Sequence, residues 1–181
     1  SQIESEERFS LAMEFANDGL FDWNLETNDI YYSPVWKRLL GYEDHELPND
    51  FSVWEKLTDP MDVKRSWEMQ RELINKRRDR FEIEFKMKHK KGHWVDILSR
   101  ANAIFNKENK AVRIVGTHAD ITEKKKAEEH LKKSKLIIES TSDAIISTDV
   151  NGVITSWNPG AEKLYGHQSR EVLGRSIALI Y

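Results

Sequence analysis

The histidines are the first residues to consider for chemistry, because the chain has six of them and no cysteine. His89 and His93 are four residues apart, a spacing that would place two metal ligands on one face of a helix. The alternation of apolar and charged residues before them instead predicts a strand, so the two histidines flank a hairpin turn. We interpret them as exposed turn residues, because a metal site would need further ligands nearby.

His130 has a different chemical alternative, the phosphoacceptor histidine of a sensor kinase. Such a histidine is expected before an acidic residue with Thr-Pro soon beyond, whereas Leu131 follows it here. We therefore interpret His130 as a surface residue of a charged helix. The sequence also shows no nucleophile–base constellation and no phosphate-cradling glycine loop, so it predicts no catalytic site and no metal site in this chain.

Charge and composition exclude several classes of partner. A basic stretch surrounds the first long strand, but its side chains fall on alternating or turn positions, which is typical of a solvated face. Its members are Arg77, Arg78, Arg80, Lys86, Lys88, Lys90 and Lys91. With a formal net charge of −3, we expect neither nucleic acid nor a membrane surface as a partner. The lack of cysteine and of any membrane-length apolar run predicts a cytoplasmic location.

The first 120 residues are predicted to contain two strands, then helices, then three longer strands. Residues 3–17 read as an amphipathic helix, and Phe21 and Trp23 alternate with polar residues in the first strand. Ser33 and Asp59, each followed by proline, mark the starts of two helices. The turn sequences KKG and NKENK join the last three strands into an antiparallel meander.

An internal repeat relates the two ends of the chain, since Glu139 lies 125 residues after Glu14 in a similar context. The same shift pairs Leu11 with Leu136, Asp18 with Asp143, Pro34 with Pro159, Leu39 with Leu164, Gly41 with Gly166 and Glu46 with Glu171. Proline and glycine recur at the same helix boundaries, where backbone geometry restricts the choice of residue. The second copy has no equivalent of the meander, so we expect residues from Ser140 onward to be disordered, swapped or only partly native.

Several stretches together resemble the PAS (Per-Arnt-Sim) sensory family with its C-terminal PAC motif. In the first copy they are ANDGLFDWNL, YYSPVWKRLLGY, KGHWVDILSRANAIF and VGTHADITEKKKAEEHL. In the second copy, SDAIISTDVNGVITSWNPGAEKLYGHQSREVLG is similar to the opening of a PAS domain. The resemblance implies an α+β fold in which a five-stranded antiparallel sheet and its flanking helices enclose a small pocket. A long linker helix and an incomplete second PAS unit would follow.

The predicted organisation has four parts. They are an N-terminal helix at 1–17, a PAS/PAC domain at 18–121, a signalling helix at 122–139 and a truncated second PAS domain at 140–181. Both ends of the sequence are abrupt, so we expect the chain to be a segment of a longer protein.

Strand parity indicates which side chains would face such a pocket. A two-residue turn in KKG would place Lys90 opposite His93 and Met87 opposite Asp96, and pairing across NKENK would place Leu98 near His118. One face then carries apolar residues with a few polar groups, as small-ligand sites do. The pocket candidates are Phe21, Trp23, Tyr32, Trp36, Leu40, Phe85, Met87, Asp96, Leu98, Arg100, Ile114, Gly116 and His118.

Two alternatives remain open for these residues. A register slip of one residue would exchange the faces of the middle strand, whose other side is also apolar at Val95 and Ile97. Asp96 and Arg100 could equally form an ion pair that satisfies itself, with His118 as a hydrogen-bonded core residue. Core or pocket wall is the interpretation for Trp23, Tyr32, Trp36 and Trp54.

The cofactor is left unknown. A covalent flavin adduct needs a reactive cysteine, and the family's haem sensors need a histidine on the helix at 59–76; the chain has neither. Non-covalent FAD is compatible with the resemblance, but no residue requires it.

The junction between the last strand and the charged helix has no glycine or proline to break it. Asp120 can cap the helix, with Glu123 three residues later, and Thr122 is the rival cap. Asp120, Ile121 and Thr122 match the family's D-I-T hinge and are the predicted signal-relay residues. Because no flexible residue intervenes, we expect strain in the strand to move the helix.

The predicted function is a sensory and signal-relay module of a bacterial sensor kinase or diguanylate cyclase. It is predicted not to be an enzyme itself, although the parent protein could carry an output domain downstream. The helix has a sparse seam of Ala127, Leu131 and Ile138, which favours a homodimer through the linker and N-terminal helices. The alternatives are a solvated monomeric linker, and a ligand-free PAS dimerisation or protein-interaction module.

Overall fold

A computed structural model describes residues 2–77 and 80–180, so Arg78 of the predicted basic stretch and the terminal residues Ser1 and Tyr181 lie outside the described residues. The chain divides into two units, one that ends at Lys125 and one that begins at Lys126. Within the described ranges, no helix has the length and apolar character needed to cross a membrane.

The first unit is a five-stranded antiparallel sheet with flanking helices, as predicted. Its elements are α1 (Gln2–Ala16), β1 (Gly19–Asn24), β2 (Ile30–Tyr32), α2 (Pro34–Leu39), a 3₁₀ turn (Asp44–Glu46), α3 (Phe51–Leu57), α4 (Pro60–Ile74), β3 (Phe81–Lys88), β4 (Trp94–Phe105), β5 (Ala111–Asp120) and the start of α5 (Thr122–Ser140). The strand order is β2-β1-β5-β4-β3, and every neighbouring pair is antiparallel.

Side-chain caps fix where the core helices begin. Ser33 Oγ accepts a hydrogen bond from the Trp36 amide at 3.2 Å, and Asp59 Oδ1 accepts one from Met61 at 2.9 Å. Each cap is followed by a proline at the first helical position, where the missing amide hydrogen costs nothing. Two of the helices that pack on the sheet therefore start where the sequence predicts.

The register between β3 and β4 differs from the prediction by one residue. The hairpin has a three-residue loop of Lys90, Lys91 and Gly92, closed by a hydrogen bond from the His89 amide to the His93 carbonyl at 2.9 Å. Gly92 has φ of 95°, the left-handed conformation that three-residue hairpin loops place at a glycine. Met87 consequently faces Val95 rather than Asp96.

The pairing of β4 with β5 is also shifted by one residue, in the opposite direction along β4. Next to the NKENK turn the partners are Phe105 and Ala111, but an irregularity between Ile104 and Phe105 moves the register by one residue. His118 therefore faces Ser99 rather than Leu98.

Because both neighbours of β4 are shifted, its two faces are exchanged as a whole. Val95, Ile97, Ser99 and Ala101 are buried in the core. The prediction that Asp96, Leu98 and Arg100 face the pocket was wrong, since these side chains lie on the other face of the sheet.

The core lies between one face of the sheet and the helices α2, α3 and α4. It includes Trp36 and Leu40 from α2 and its end, Trp54 from α3, Leu73 from α4, and alternate residues of the strands. The helix α1, in contrast, has no buried residue. Several of its apolar side chains are exposed, namely Ile3, Phe9, Leu11 and Phe15.

The second unit repeats the first elements of the fold. It contains the end of α5, then β6 (Ile146–Thr148), β7 (Ile154–Trp157), α6 (Pro159–Tyr165), α7 (Ser169–Val172) and a 3₁₀ turn (Ile177–Ile180). β6 and β7 form an antiparallel pair over a small core of Ile154, Trp157, Ala161 and Val172. Of the three outcomes expected for this region, which were disorder, swapping and an only partly native structure, disorder was wrong.

Candidate functional site

A small cavity lies in the core of the first unit. Its volume is about 30 Å³, which is room for one or two water molecules and far below the ~300–1,000 Å³ of typical ligand pockets. Its lining consists of Phe21, Trp23, Ile30, Tyr32, Phe51, Trp54, Gln70, Leu73, Phe81, Phe85, Ser99, Ala101, Ile114 and His118. Side chains fill most of the space between the sheet and the helices.

The structure brings six of the predicted pocket residues to this cavity, and they are Phe21, Trp23, Tyr32, Phe85, Ile114 and His118. Trp36, Leu40 and Met87 are buried core residues instead. Gly116 packs in the sheet, where a Cβ would lie 2.6 Å from the Phe21 ring and 2.2 Å from the Arg100 carbonyl oxygen. That the six residues at the cavity bind a ligand stays a prediction.

Several lining residues were missed by the sequence analysis. Ser99 and Ala101 belong to the face of β4 that the predicted register turned away from the pocket. Gln70 and Leu73 come from α4, and strand parity contains no information about which side of a helix faces the sheet. Their three-residue spacing places Gln70 and Leu73 on one face of α4, but it does not say that this face meets the cavity.

His118 is enclosed by aromatic rings. Its ring centroid lies 5.0 Å from that of Phe21, 5.3 Å from Phe85 and 5.6 Å from Trp36. Burial lowers the pKa of His118 to about 3, because the charged imidazolium would lose its hydration. The imidazole is therefore neutral at neutral pH. The cavity lining drawn from the described residues includes no charged side chain either.

Gln70 gives the cavity a free acceptor. Its amide oxygen Oε1 is buried without a hydrogen-bond partner among the described residues, as is the Ser66 hydroxyl one turn earlier on α4. Buried polar atoms normally have partners, and an unpaired one favours a ligand that can supply the missing bond. With neutral His118 and Ser99 also lining the wall, the cavity suits an uncharged group that can donate a hydrogen bond.

The end of β5 is joined to α5 by hydrogen bonds from β4. The Ile121 amide donates to the Asp96 carbonyl at 2.9 Å, and the Asp96 amide donates to Thr122 Oγ1 at 3.0 Å. Asp120 Oδ1 accepts from the Thr122 amide at 2.9 Å, and Lys125 makes the first helical bond, to Ile121. The three predicted relay residues therefore continue the sheet directly into the helix.

Asp96, which was wrongly predicted to face the pocket, lies at this junction instead. Its carboxylate is 2.8 Å from Lys86 Nζ and 3.8 Å from Lys125 Nζ, and Lys125 also lies 2.6 Å from Glu84. Arg100, the other polar residue of that face, pairs with Glu82 at 3.1 Å. Ion pairs near the surface contribute only about 0–1 kcal/mol each, so we expect the hydrogen bonds of the Asp96 backbone to hold the junction more firmly than these pairs.

His89 and His93 lie at the β3–β4 hairpin, where their rings stack at 4.2 Å. His89 Nδ1 accepts a hydrogen bond from the Lys91 amide at 3.1 Å, which occupies one of the ring nitrogens that a metal would need. No group of three potential metal ligands occurs within residues 2–77 and 80–180.

Comparison with known proteins supports a sensory module. The chain is 31% identical over 174 residues to a protein named "Probable diguanylate cyclase DgcE" from Escherichia coli, covering 93% of this chain and 15% of that protein. It is 26% identical over 180 residues to "Sensor protein FixL" from Bradyrhizobium diazoefficiens, covering 96% of this chain and 35% of that protein. The chain thus spans only a minor part of these curated relatives.

One solved structure is similar to this chain over nearly its own whole length. It is a sensory box histidine kinase/response regulator from Burkholderia thailandensis, 33% identical with a TM-score of 0.63. The match covers 74% of this chain and 99% of that one. Family models described as PAS fold match residues 29–118 and 133–180. The chain belongs to the PAS fold family and contains one five-stranded PAS unit followed by part of a second.

Proposed function

We propose that this chain is a sensory and signal-relay segment of a bacterial signal-transduction protein, of the sensor kinase or diguanylate cyclase type. The segment itself is non-catalytic, and an output domain downstream in the same protein would carry the enzymatic activity. The observation that carries the proposal is the pair of hydrogen bonds joining Asp96 of β4 to Ile121 and Thr122 at the start of α5.

The relay route follows one strand. Ile114 and His118 of β5 line the cavity, and the same strand ends at Asp120, two residues after His118. A ligand that moves these side chains must move β5, because interiors are close-packed and cannot absorb the change locally. The hydrogen bonds at Ile121 and Thr122 then pass the displacement to α5 rather than to a flexible loop.

Two glycines inserted between Ile121 and Thr122 should uncouple α5 from the cavity. Ser99→Val places extra carbon atoms at the cavity wall and serves as a perturbation without an identified ligand. In the native chain it should change the free energy of local opening in the first turns of α5 by about 0.5–2 kcal/mol. In the chain with the two inserted glycines, Ser99→Val should leave the free energy of local opening in α5 unchanged. Amide hydrogen exchange measured residue by residue reports both effects.

The matched control inserts the same two glycines in the β4–β5 turn, after Lys107, where exposed loop residues tolerate insertions. This variant should keep the effect of Ser99→Val on α5. An equal effect of Ser99→Val in all three backgrounds would contradict the proposed route, as would a native chain in which α5 does not respond.

The ligand is proposed to be small. A flavin does not fit a cavity of about 30 Å³, because flavin-sized ligands need pockets roughly ten times larger. The lining therefore gives no support to FAD in this conformation. An uncharged compound with a hydrogen-bond donor fits the polar groups of the wall, Gln70, Ser99 and neutral His118.

A second candidate function is a ligand-free dimerisation or protein-interaction module. Two observations favour it, the small cavity and the exposed apolar side chains of α1, including Phe9 and Phe15. In both readings we propose a homodimer through α1 and α5, where Leu131 is also exposed. Native mass spectrometry of gently purified protein, with an absorbance scan, separates the two. A bound compound supports sensing, and a dimer without one supports the interaction module.

A further inference from the structure

Asn158 uses its entire hydrogen-bonding capacity inside the second unit. Its side chain is buried, with 4% of its surface exposed. Oδ1 accepts from the amides of Ile145 and Ala161, both at 2.8 Å. Nδ2 donates to the carbonyls of Ile138 and Asp143, both at 2.9 Å. A primary amide has two donors and one oxygen with two lone pairs, so all four positions are filled.

These four bonds join three separate elements. The Ile138 carbonyl belongs to the last turn of α5, where helical carbonyls have no partner within the helix. The Ala161 amide belongs to the first turn of α6, where helical amides have no acceptor within the helix. The Ile145 amide immediately precedes β6. One side chain therefore caps the end of one helix and the start of another, and also holds the entry to the strand.

The first unit provides an internal comparison, because Ser33 occupies the equivalent position in the repeat. Ser33 Oγ accepts from Leu20 at 2.9 Å and from Trp36 at 3.2 Å, which are the equivalents of Ile145 and Ala161. The two acceptor bonds are thus common to both units. The bond to the last turn of α5 differs, since in the first unit the carbonyl equivalent to that of Ile138, the carbonyl of Met13, accepts from the backbone amide of Asp18 at 3.2 Å.

Gly160 is the second difference between the units, and a larger residue would not fit at this position. A Cβ at this position would lie 2.1 Å from the Asp143 carbonyl oxygen, so any larger residue would push that carbonyl away. The first unit has Val35 at the equivalent position, buried in the core. Gly160 thereby lets the chain that follows α5 approach the start of α6, within reach of Asn158.

We propose that Asn158 is a positioning residue that fastens the last turn of α5 to the rest of the second unit. Given the relay function proposed above, on which this role rests, the second unit is then the receiver of α5 motion. A displacement of α5 would be carried through Ile138 and Asp143 to α6 and β6. In the first unit, Ser33 makes no such bond to α1 among the residues that the structure describes, so the two units differ in how their N-terminal helix is attached.

Asn158→Ser should remove the two bonds that the side chain donates and keep the two that it accepts, because Ser33 accepts the equivalent two bonds in the first unit. Loss of two donor bonds should make the amides of the last turn of α5, residues 138–141, exchange roughly tenfold faster. The amides that pair β6 with β7 should keep their native rates. Asn151→Ser, the same substitution at an exposed turn, is the control and should change neither region. Unchanged exchange at residues 138–141 in Asn158→Ser would overturn the proposal.

A measurement on the native chain tests the proposal even if the Asn158→Ser variant fails to fold. The side-chain amide protons of Asn158 should exchange far more slowly with solvent than those of exposed Asn151, because both are hydrogen-bonded and buried. Equal rates would overturn the proposal regardless of how the variant behaves.

The two proposals fail in different ways. If the glycine insertion at residue 121 leaves transmission unchanged while Asn158→Ser accelerates exchange, the relay fails and the fastening stands. If the insertion blocks transmission but Asn158→Ser has no effect, the relay stands and this inference fails.

Discussion

Replacing Trp36 with alanine should lower the free energy of unfolding of the first unit by about 3–5 kcal/mol. Trp36 is 1% exposed and stacks on Tyr32 with ring centroids 3.9 Å apart. Its indole Nε1 has no hydrogen-bond partner among the described residues, so the whole effect comes from lost packing and the resulting cavity. Urea unfolding followed through the amide signals of β4 and β5 reports on this unit alone.

Trp94→Ala is the matched control for this prediction. Trp94 is 41% exposed and lies at the start of β4, where its ring makes a cation–π interaction with Lys88 at 4.5 Å. Exposed interactions of this kind contribute about 0.5–1 kcal/mol, so its replacement should cost several-fold less. Equal losses at the two positions would show that Trp36 is not part of the packing that stabilises the unit.

The stability of the first unit should fall at acidic pH because of His118. In the unfolded chain this histidine takes up a proton as the pH falls below its ordinary pKa of 6.5, whereas burial keeps the folded pKa at about 3. Between these values the unfolded state binds more protons, so stability is present above pH 6.5 and is lost as the pH falls toward 3. The slope from this one group is about 1.4 kcal/mol per pH unit.

His118→Phe removes the titrating group but keeps an aromatic ring among Phe21, Trp36 and Phe85. The variant should show a pH dependence of the unfolding free energy that is shallower than the native one between pH 6 and 4, by about 1 kcal/mol or more per pH unit. Urea unfolding at several pH values gives both slopes. Identical slopes in the native chain and the variant would contradict a buried neutral imidazole.

The strands that sequence alone predicts best are those with one unambiguous apolar face. In β3 the alternation from Phe81 to Lys88 is complete, and every residue predicted to face inward is buried. In β4 both faces carry apolar residues, so the assignment depended on turn geometry rather than on hydrophobicity. Gly92 in the hairpin and the irregularity at Ile104 each moved the register by one residue, and Asp96 and Arg100 were assigned to the wrong face.

The cavity itself depends on contacts that a linear pattern does not contain. Gln70 and Leu73 reach the cavity wall only because α4 crosses the sheet at a particular place, which is decided by packing. The junction at Asp120, Ile121 and Thr122 was identified from local sequence, because capping and the lack of a helix breaker are local properties. Its attachment to Asp96 was not, since that hydrogen bond joins residues far apart in the chain.

The proposed relay requires a stiff connection between the sheet and α5. Backbone ¹⁵N relaxation of the native chain measures this directly at residues 119–125. We expect order parameters of about 0.85 throughout, equal to those of β5, because the Ile121 amide donates to Asp96, the Thr122 amide to Asp120 and the Lys125 amide to Ile121. Order parameters below about 0.6 at Ile121 or Thr122 would contradict the account, since a flexible junction could not pass a displacement from the cavity to α5.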